Sequence, residues 1–209
     1  MTDRPVGTGP LLRFATLEDV GAVAGLHASR ISEGFLVSLG PAFLRRLYRR
    51  VVLSHRSFLL VADDGRSVCG FIAVAEDTGA LYREYLVRDG VMVAITAARG
   101  IARAPHSVFE TLRYGLRGGE AEGTNGSSTG RAAEILATGV AADRAGRGIG
   151  TQLVRAAVEE LERRGVASAR VVTAVGNEAA VRAYERGGFR SRGREVVHRG
   201  ITQELLVWP

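Results

Sequence analysis

The chain has 209 residues, 46% of them hydrophobic and 24% charged, the balance of a soluble globular protein long enough for one domain with a full core. All 28 basic residues are arginine and outnumber the 22 acidic ones, giving a net charge of +6; they are scattered, which argues against a nucleic-acid-binding tail and suits a ligand carrying several phosphates. The single Cys69 excludes an intramolecular disulfide and a cysteine-cluster metal site, and the four histidines are dispersed, so no metal is implied.

The N-terminus lacks the charged-then-apolar pattern of a secretory leader, which predicts a cytoplasmic protein. Residues 1–10 read as a frayed end and Leu11–Ala15 as a first strand. Thr16 followed by Glu18 and Asp19 has the form of an N-cap with acids in the first turn, predicting a helix to about Ser29. Val20, Val23, Ala24 and His27 lie near one face of it. Ile31–Gly40 reads as a loop, and Pro41 suits a helix start. Phe43, Leu44, Leu47, Tyr48 and Val51 then form an apolar stripe, with Arg45, Arg46, Arg49 and Arg50 expected on the solvated face. Phe58–Ala62 and Val68–Ala75 read as strands joined by the turn Asp63-Asp64-Gly65-Arg66. Cys69, in the second strand, reads as a small core residue.

Residues 79–117 break the strand pattern and read as short helices, about Leu81–Arg88, Val91–Arg103 and Ser107–Leu116. The apolar stretch Val91–Ala98 is far short of the ~20 residues a membrane span needs. Gly118–Gly130 is rich in Gly, Ser and Thr and reads as a loop. Farther on, Ala169–Val175 is a strand, Glu178 to about Arg186 a helix closed by Gly187-Gly188, Phe189 to about His198 a strand, and Ile201–Trp208 the last strand. The order predicts an α/β fold with a mixed central sheet of about six to seven strands, flanking helices and a helical insertion at about 79–130, all within one domain spanning 1–209.

The stretch 132–151 organises the rest. Glu134–Ala142 reads as a strand, Asp143–Gly148 as a tight basic loop, and Ile149 to about Arg164 as a helix stopped by Gly165. Ile149, Leu153, Ala156, Ala157 and Leu161 recur at helical spacing, with Glu159, Glu160, Arg163 and Arg164 on the other side. The first amides of a helix have no internal partner, and glycines let a phosphate approach them. Gly146, Gly148 and Gly150, with Arg144 and Arg147, therefore read as an anion seat. A tight turn whose glycines serve packing is the other reading. The spacing is neither a dinucleotide fingerprint nor a P-loop, and the chain has no lysine.

With these residues quoted, the chain resembles the GCN5-related N-acetyltransferase (GNAT) superfamily over nearly its whole length, most strongly over 132–189. The family's acetyl-coenzyme A loop has the form Gln/Arg-x-x-Gly-x-Gly/Ala, and Ala145-Gly-Arg-Gly-Ile-Gly150 falls on it. Asn177-x-x-Ala180-x-x-x-Tyr184-x-x-x-Gly188-Phe189 resembles the family's last motif. One departure is Ala145, where the family usually has Gln or Arg; Arg144 stands one place early. Family phosphate contacts come mostly from backbone N–H groups, so binding is expected to survive.

The resemblance implies acetyl transfer from acetyl-coenzyme A to an amine. That chemistry needs a base for the amine, a donor for the thioester oxygen and an acid for the leaving thiolate. Glu134, six residues before Val140, matches the base of the histone-acetylating branch; a solvated strand-end carboxylate is the alternative reading, and His27, Glu33 and His198 are reserves. A backbone N–H on the splayed central strand, near Thr138, would serve the oxygen, and Thr138 to Val140 would pair with the pantetheine arm. Tyr184 matches the acid, although its helical spacing alone reads as core. Gly146, Arg147, Gly148, Ile149, Gly150 and Thr151 would hold the pyrophosphate. Asn177 would hold the pantetheine or the loop, or cap the following helix.

The expected protein is an acetyl-coenzyme A-dependent N-acetyltransferase acting on a small-molecule primary amine, such as an amino sugar, by direct transfer in a ternary complex. A protein or peptide N-acetyltransferase, and a non-catalytic regulatory relative that binds acetyl-coenzyme A, are the alternatives. No nucleic-acid partner and no membrane span are expected. The insertion reads as one wall of the acceptor pocket, with a lid or a homodimer interface as its other readings.

Overall fold

The computed structural model describes residues 9–31, 39–85, 87–88, 132–197 and 201–209. In chain order these form β1 (Leu11–Phe14), α1 (Val20–Arg30), α2 (Pro41–Leu53), β2 (Ser57–Asp63), β3 (Val68–Ala75) and α3 (helical over 78–85). After them come β4 (Ala133–Val140), a single 3-10 turn (Ala142–Arg144), α4 (Ile149–Arg163), β5 (Ala169–Ala174), α5 (Glu178–Arg186), β6 (Arg190–Val197) and β7 (Ile201–Trp208). The strands make one seven-stranded sheet in the order β1-β2-β3-β4-β5-β7-β6. Only β4 and β5 run parallel; the other neighbours are antiparallel, so the sheet is mixed as expected.

β2 and β3 are buried along nearly their whole length because helices cover both faces. On one face α1 and α2 set Val23, Leu44, Tyr48 and Val51 against Leu59, Val61, Phe71 and Ala73. On the other, α4 and α5 set Leu153, Ala157, Leu161 and Tyr184 against Phe58, Leu60, Ile72 and Val74. Each large side chain so buried contributes about 1.5–3 kcal/mol. Cys69 is buried in this second layer and burial pushes its thiol pKa up, which fits a packing role.

Several local expectations need correction. α1 begins at Val20 without a side-chain cap; Thr16 instead donates its N–H (2.7 Å) and hydroxyl (3.1 Å) to Asp19, whose carboxylate is held by Arg13. Arg50 is buried, since it stands seven after Phe43 and three after Leu47 and so falls on the apolar stripe. Glu160 is buried for the same reason, seven after Leu153 and three after Ala157. Its carboxylate accepts from Arg163 (2.7 Å) and Arg164 (2.5 Å), which makes the burial tolerable. Arg164 also reaches Glu76 at 2.7 Å and lies over the Phe58 ring, binding the end of α4 to the sheet.

The first insertion helix starts three residues earlier than expected. Asp77 caps it, its carboxylate accepting the Ala80 N–H at 2.8 Å and its carbonyl the Leu81 N–H at 3.0 Å. Leu81 and Tyr85 are buried, the latter edge-on to Phe43 of α2, so α3 packs on the α1/α2 face. The expected helices over 91–103 and 107–116 lie outside the described residues.

Candidate active site

β4 pairs with β3 from Glu134 to Val140 but with β5 only at Ala133↔Ala169 and Glu134↔Arg170. Beyond Glu134 the two central strands part. In the β3 ladder Ala73 pairs with Ala137 and Val74 with Ile135, so Leu136 is an extra residue, a β-bulge. In a regular strand Glu134 and Thr138 would share a face. The bulge shifts the alternation by one. Glu134 pairs with Ala75 and opens on the α1/α2 face, whereas Thr138 pairs with Ile72 and opens on the α4/α5 face.

The edge of β4 that faces β5 is open past the bulge. Ala141 donates its N–H to Cys69 O at 2.8 Å, toward β3. Alternation turns the backbone groups of Val140 and Thr138 to the opposite edge, where no ladder pair meets them. Gly139 must be glycine for this path: a Cβ there would lie 2.7 Å from the Phe71 ring.

That edge leads into the loop before α4. Gly148 precedes the helix at φ 78° with no side-chain cap, and the first helical bond is Gln152 N–H to Gly148 O at 3.0 Å. The amides of Ile149, Gly150 and Thr151 thus stand at an uncapped helix N-terminus, the arrangement that receives anions. A Cβ on Gly146 or Gly148 would meet nothing within 4 Å, so both glycines border open space. Gly150 packs close to Val140 and Ala183, which ties the helix start to β4 and α5. Arg147 is exposed on this loop. Arg144 is not part of the seat, because its guanidinium is paired with Asp64 of the β2–β3 turn at 2.5 Å.

Tyr184, on α5, is buried against Phe189 and donates its hydroxyl to Thr138 Oγ1 at 3.2 Å. Burial raises its pKa, so the phenol keeps its proton at neutral pH. Asn177 is the N-cap of α5, its side-chain oxygen accepting the Ala180 N–H at 3.2 Å.

Glu134 is half-buried on the other face. Its Oε2 accepts from the Thr78 hydroxyl at 2.9 Å and lies 3.5 Å from an Arg170 guanidinium nitrogen. Tyr82, one turn past Thr78, is pushed up to about 12 by burial and by the charge of Glu134. Sequence reasoning missed Thr78, Tyr82 and Arg170. The signal for Arg170 is its register opposite Glu134; Thr78 and Tyr82 sit in a segment whose docking the sequence does not reveal. Of the reserves, His27 is a core residue: it is buried between Tyr48 (Nδ1 to Oη 2.5 Å) and Phe71, and burial lowers its pKa. Glu33 and His198 lie outside the described residues.

The site thus joins a strand pair split at a bulge, an open strand edge and an uncapped, glycine-bordered helix start. The profile of the acetyltransferase (GNAT) family matches residues 29–189, and the chain belongs to that family and is an acetyltransferase. Solved structures share the fold. SsHAT is 20% identical with a TM-score of 0.66, covering 96% of this chain and 98% of that one. The aminoglycoside acetyltransferase AAC(6')-Ib, in complex with ribostamycin and coenzyme A, is 19% identical with a TM-score of 0.61, covering 96% and 93%. The ribosomal-protein-S18-alanine N-acetyltransferase of Escherichia coli is 13% identical with a TM-score of 0.57, covering 95% and 92%. No curated protein sequence matches the chain. Among the described residues no helix is long and apolar enough to cross a membrane, and no group of three or more His, Cys, Asp or Glu could hold a metal ion.

Proposed function

We propose that the protein transfers the acetyl group of acetyl-coenzyme A to a small-molecule primary amine, such as that of an amino sugar, directly within a ternary complex. The observation that carries this reading is the bulge at Leu136, which puts Glu134 on one face of the sheet and Thr138, the partner of Tyr184, on the other, beside an open strand edge. The residues suit the co-substrate: the open edge of Thr138 and Val140 matches an extended amide-bearing arm, and the uncapped amides of 149–151 match a pyrophosphate. Acetyl-coenzyme A supplies the activated acetyl group and departs as the thiol.

Glu134 takes the proton that the attacking amine must lose, from the α1/α2 face. The Thr138 N–H on the open edge donates to the carbonyl oxygen as it gains charge. Tyr184 gives its hydroxyl proton to the leaving sulfur from the α4/α5 face and regains one from solvent. Asn177 holds the start of α5, and through it the register of Tyr184. The insertion beyond Thr78 is proposed as a wall of the acceptor pocket within a single domain spanning the chain.

One experiment tests the reading. Coenzyme A release is measured over ribostamycin, glucosamine and an alanine-initiated peptide. The reading expects turnover of an amino sugar; release of thiol with none of these amines contradicts it. Turnover of the peptide alone would move the acceptor from small molecules to protein N-termini.

A further inference from the structure

Glu134 is held unevenly. Its Oε2 takes the Thr78 hydroxyl at 2.9 Å and faces Arg170 at 3.5 Å, while Oε1 receives no hydrogen bond among the described residues. The two partners approach from different elements, α3 and β5, and both lie on the α1/α2 face of the sheet, as does Glu134 itself. A carboxylate with one oxygen fixed has its remaining lone pairs aimed by that contact. Thr78 is the first helical residue after the Asp77 cap, so its hydroxyl is placed by the helix start rather than by a loose loop. Leu81 and Tyr85, buried one and two turns on, fix the helix on the core. Tyr82, on the same side of α3, keeps its proton in the field of Glu134, and the Arg170 guanidinium faces the carboxylate from β5.

We propose that Thr78 is a positioning residue for the Glu134 base, fixing Oε2 so that Oε1 meets the amine, and that the start of α3 thereby sets the geometry of proton removal. The inference rests on the reading of Glu134 as the base. A carboxylate left to rotate would spend less time aimed at the amine, which lowers kcat and leaves the binding of either substrate alone.

The test is a double-mutant cycle on the full chain, read by coenzyme A release with the best acceptor among ribostamycin, glucosamine and the alanine-initiated peptide. Thr78→Val keeps the shape and the Asp77 cap but removes the donor. It is expected to lower kcat about tenfold at unchanged KM for both substrates. Thr78→Ser should restore the rate. On the Glu134→Gln background, Thr78→Val should cost nothing further. An equal loss on both backgrounds makes Thr78 merely structural and overturns the inference. A normal kcat for Thr78→Val beside a crippled Glu134→Gln overturns it too, while leaving Glu134 as the base. A normal Glu134→Gln, or no turnover of any amine by the unmodified protein, removes the underlying reading and the inference with it.

Discussion

Tyr184 Oη and Thr138 Oγ1 are 3.2 Å apart, joined across the cleft between α5 and the bulged strand β4. The contact places a protonated phenol beside the open strand edge, on the face opposite Glu134. In Tyr184→Phe the ring keeps its packing against Phe189, so the fold and acetyl-coenzyme A affinity should be retained. The lost proton donor should lower kcat by about 10²-fold or more. Steady-state kinetics with calorimetric titration of acetyl-coenzyme A checks both halves. A variant with normal kcat would return Tyr184 to a packing role.

Gly148 has φ 78°, a conformation that disfavours any side chain, and its missing Cβ faces open space at the helix start. Gly148→Glu should fold at a backbone strain of about 1–2 kcal/mol, because a side chain there meets no protein atom. It should lose acetyl-coenzyme A affinity about a hundredfold, the worth of one strong charge-assisted hydrogen bond. Circular dichroism and calorimetry decide the matter; unchanged affinity would move the pyrophosphate elsewhere.

Arg13 grips Asp19 through both carboxylate oxygens, at 2.7 and 2.9 Å, and reaches Asp63 at 2.8 Å. The guanidinium holds the Asp19 pKa down to about 2. The native state therefore binds fewer protons than the unfolded chain in that range, so the stabilisation is fully present above the ordinary carboxylate pKa and lost as pH falls through about 2. Asp19→Asn should cost about 2 kcal/mol at pH 7 and about half of that at pH 3. Urea unfolding at both pH values measures the gap, and a gap that does not narrow would show that the ion pair is not its source.

The elements that the sequence made legible are those whose cause is local. Gly165 at φ 71°, the Asn177 cap and the apolar run of β3 are each fixed by a few neighbouring residues, and α5, β3 and β7 have the expected limits. The family resemblance implied a splayed central strand near Thr138, but the bulge at Leu136 was not legible, because it exists only in register with Ala73 and Val74, some sixty residues earlier. Arg50 and Glu160 were misplaced by residue type although their spacing put them on the buried stripes. Thr78 was missed since its partner Glu134 lies 56 residues on. The loop motif marked the turn at Gly148 and the helix start at Ile149, but not that Arg144 turns away to Asp64.

In the proposed mechanism Glu134 removes the proton of the amine on one face of the split while the thiol leaves on the other. That role of Glu134 is tested most directly by the pH dependence of amine-stimulated coenzyme A release in Glu134→Gln beside the unmodified protein. At low pH, where the amine is mostly protonated, the variant should be slower by about 10²–10⁴-fold. The deficit should shrink as pH rises and solvent takes the proton instead. Two profiles of the same shape and height would contradict the account and assign the base to another residue.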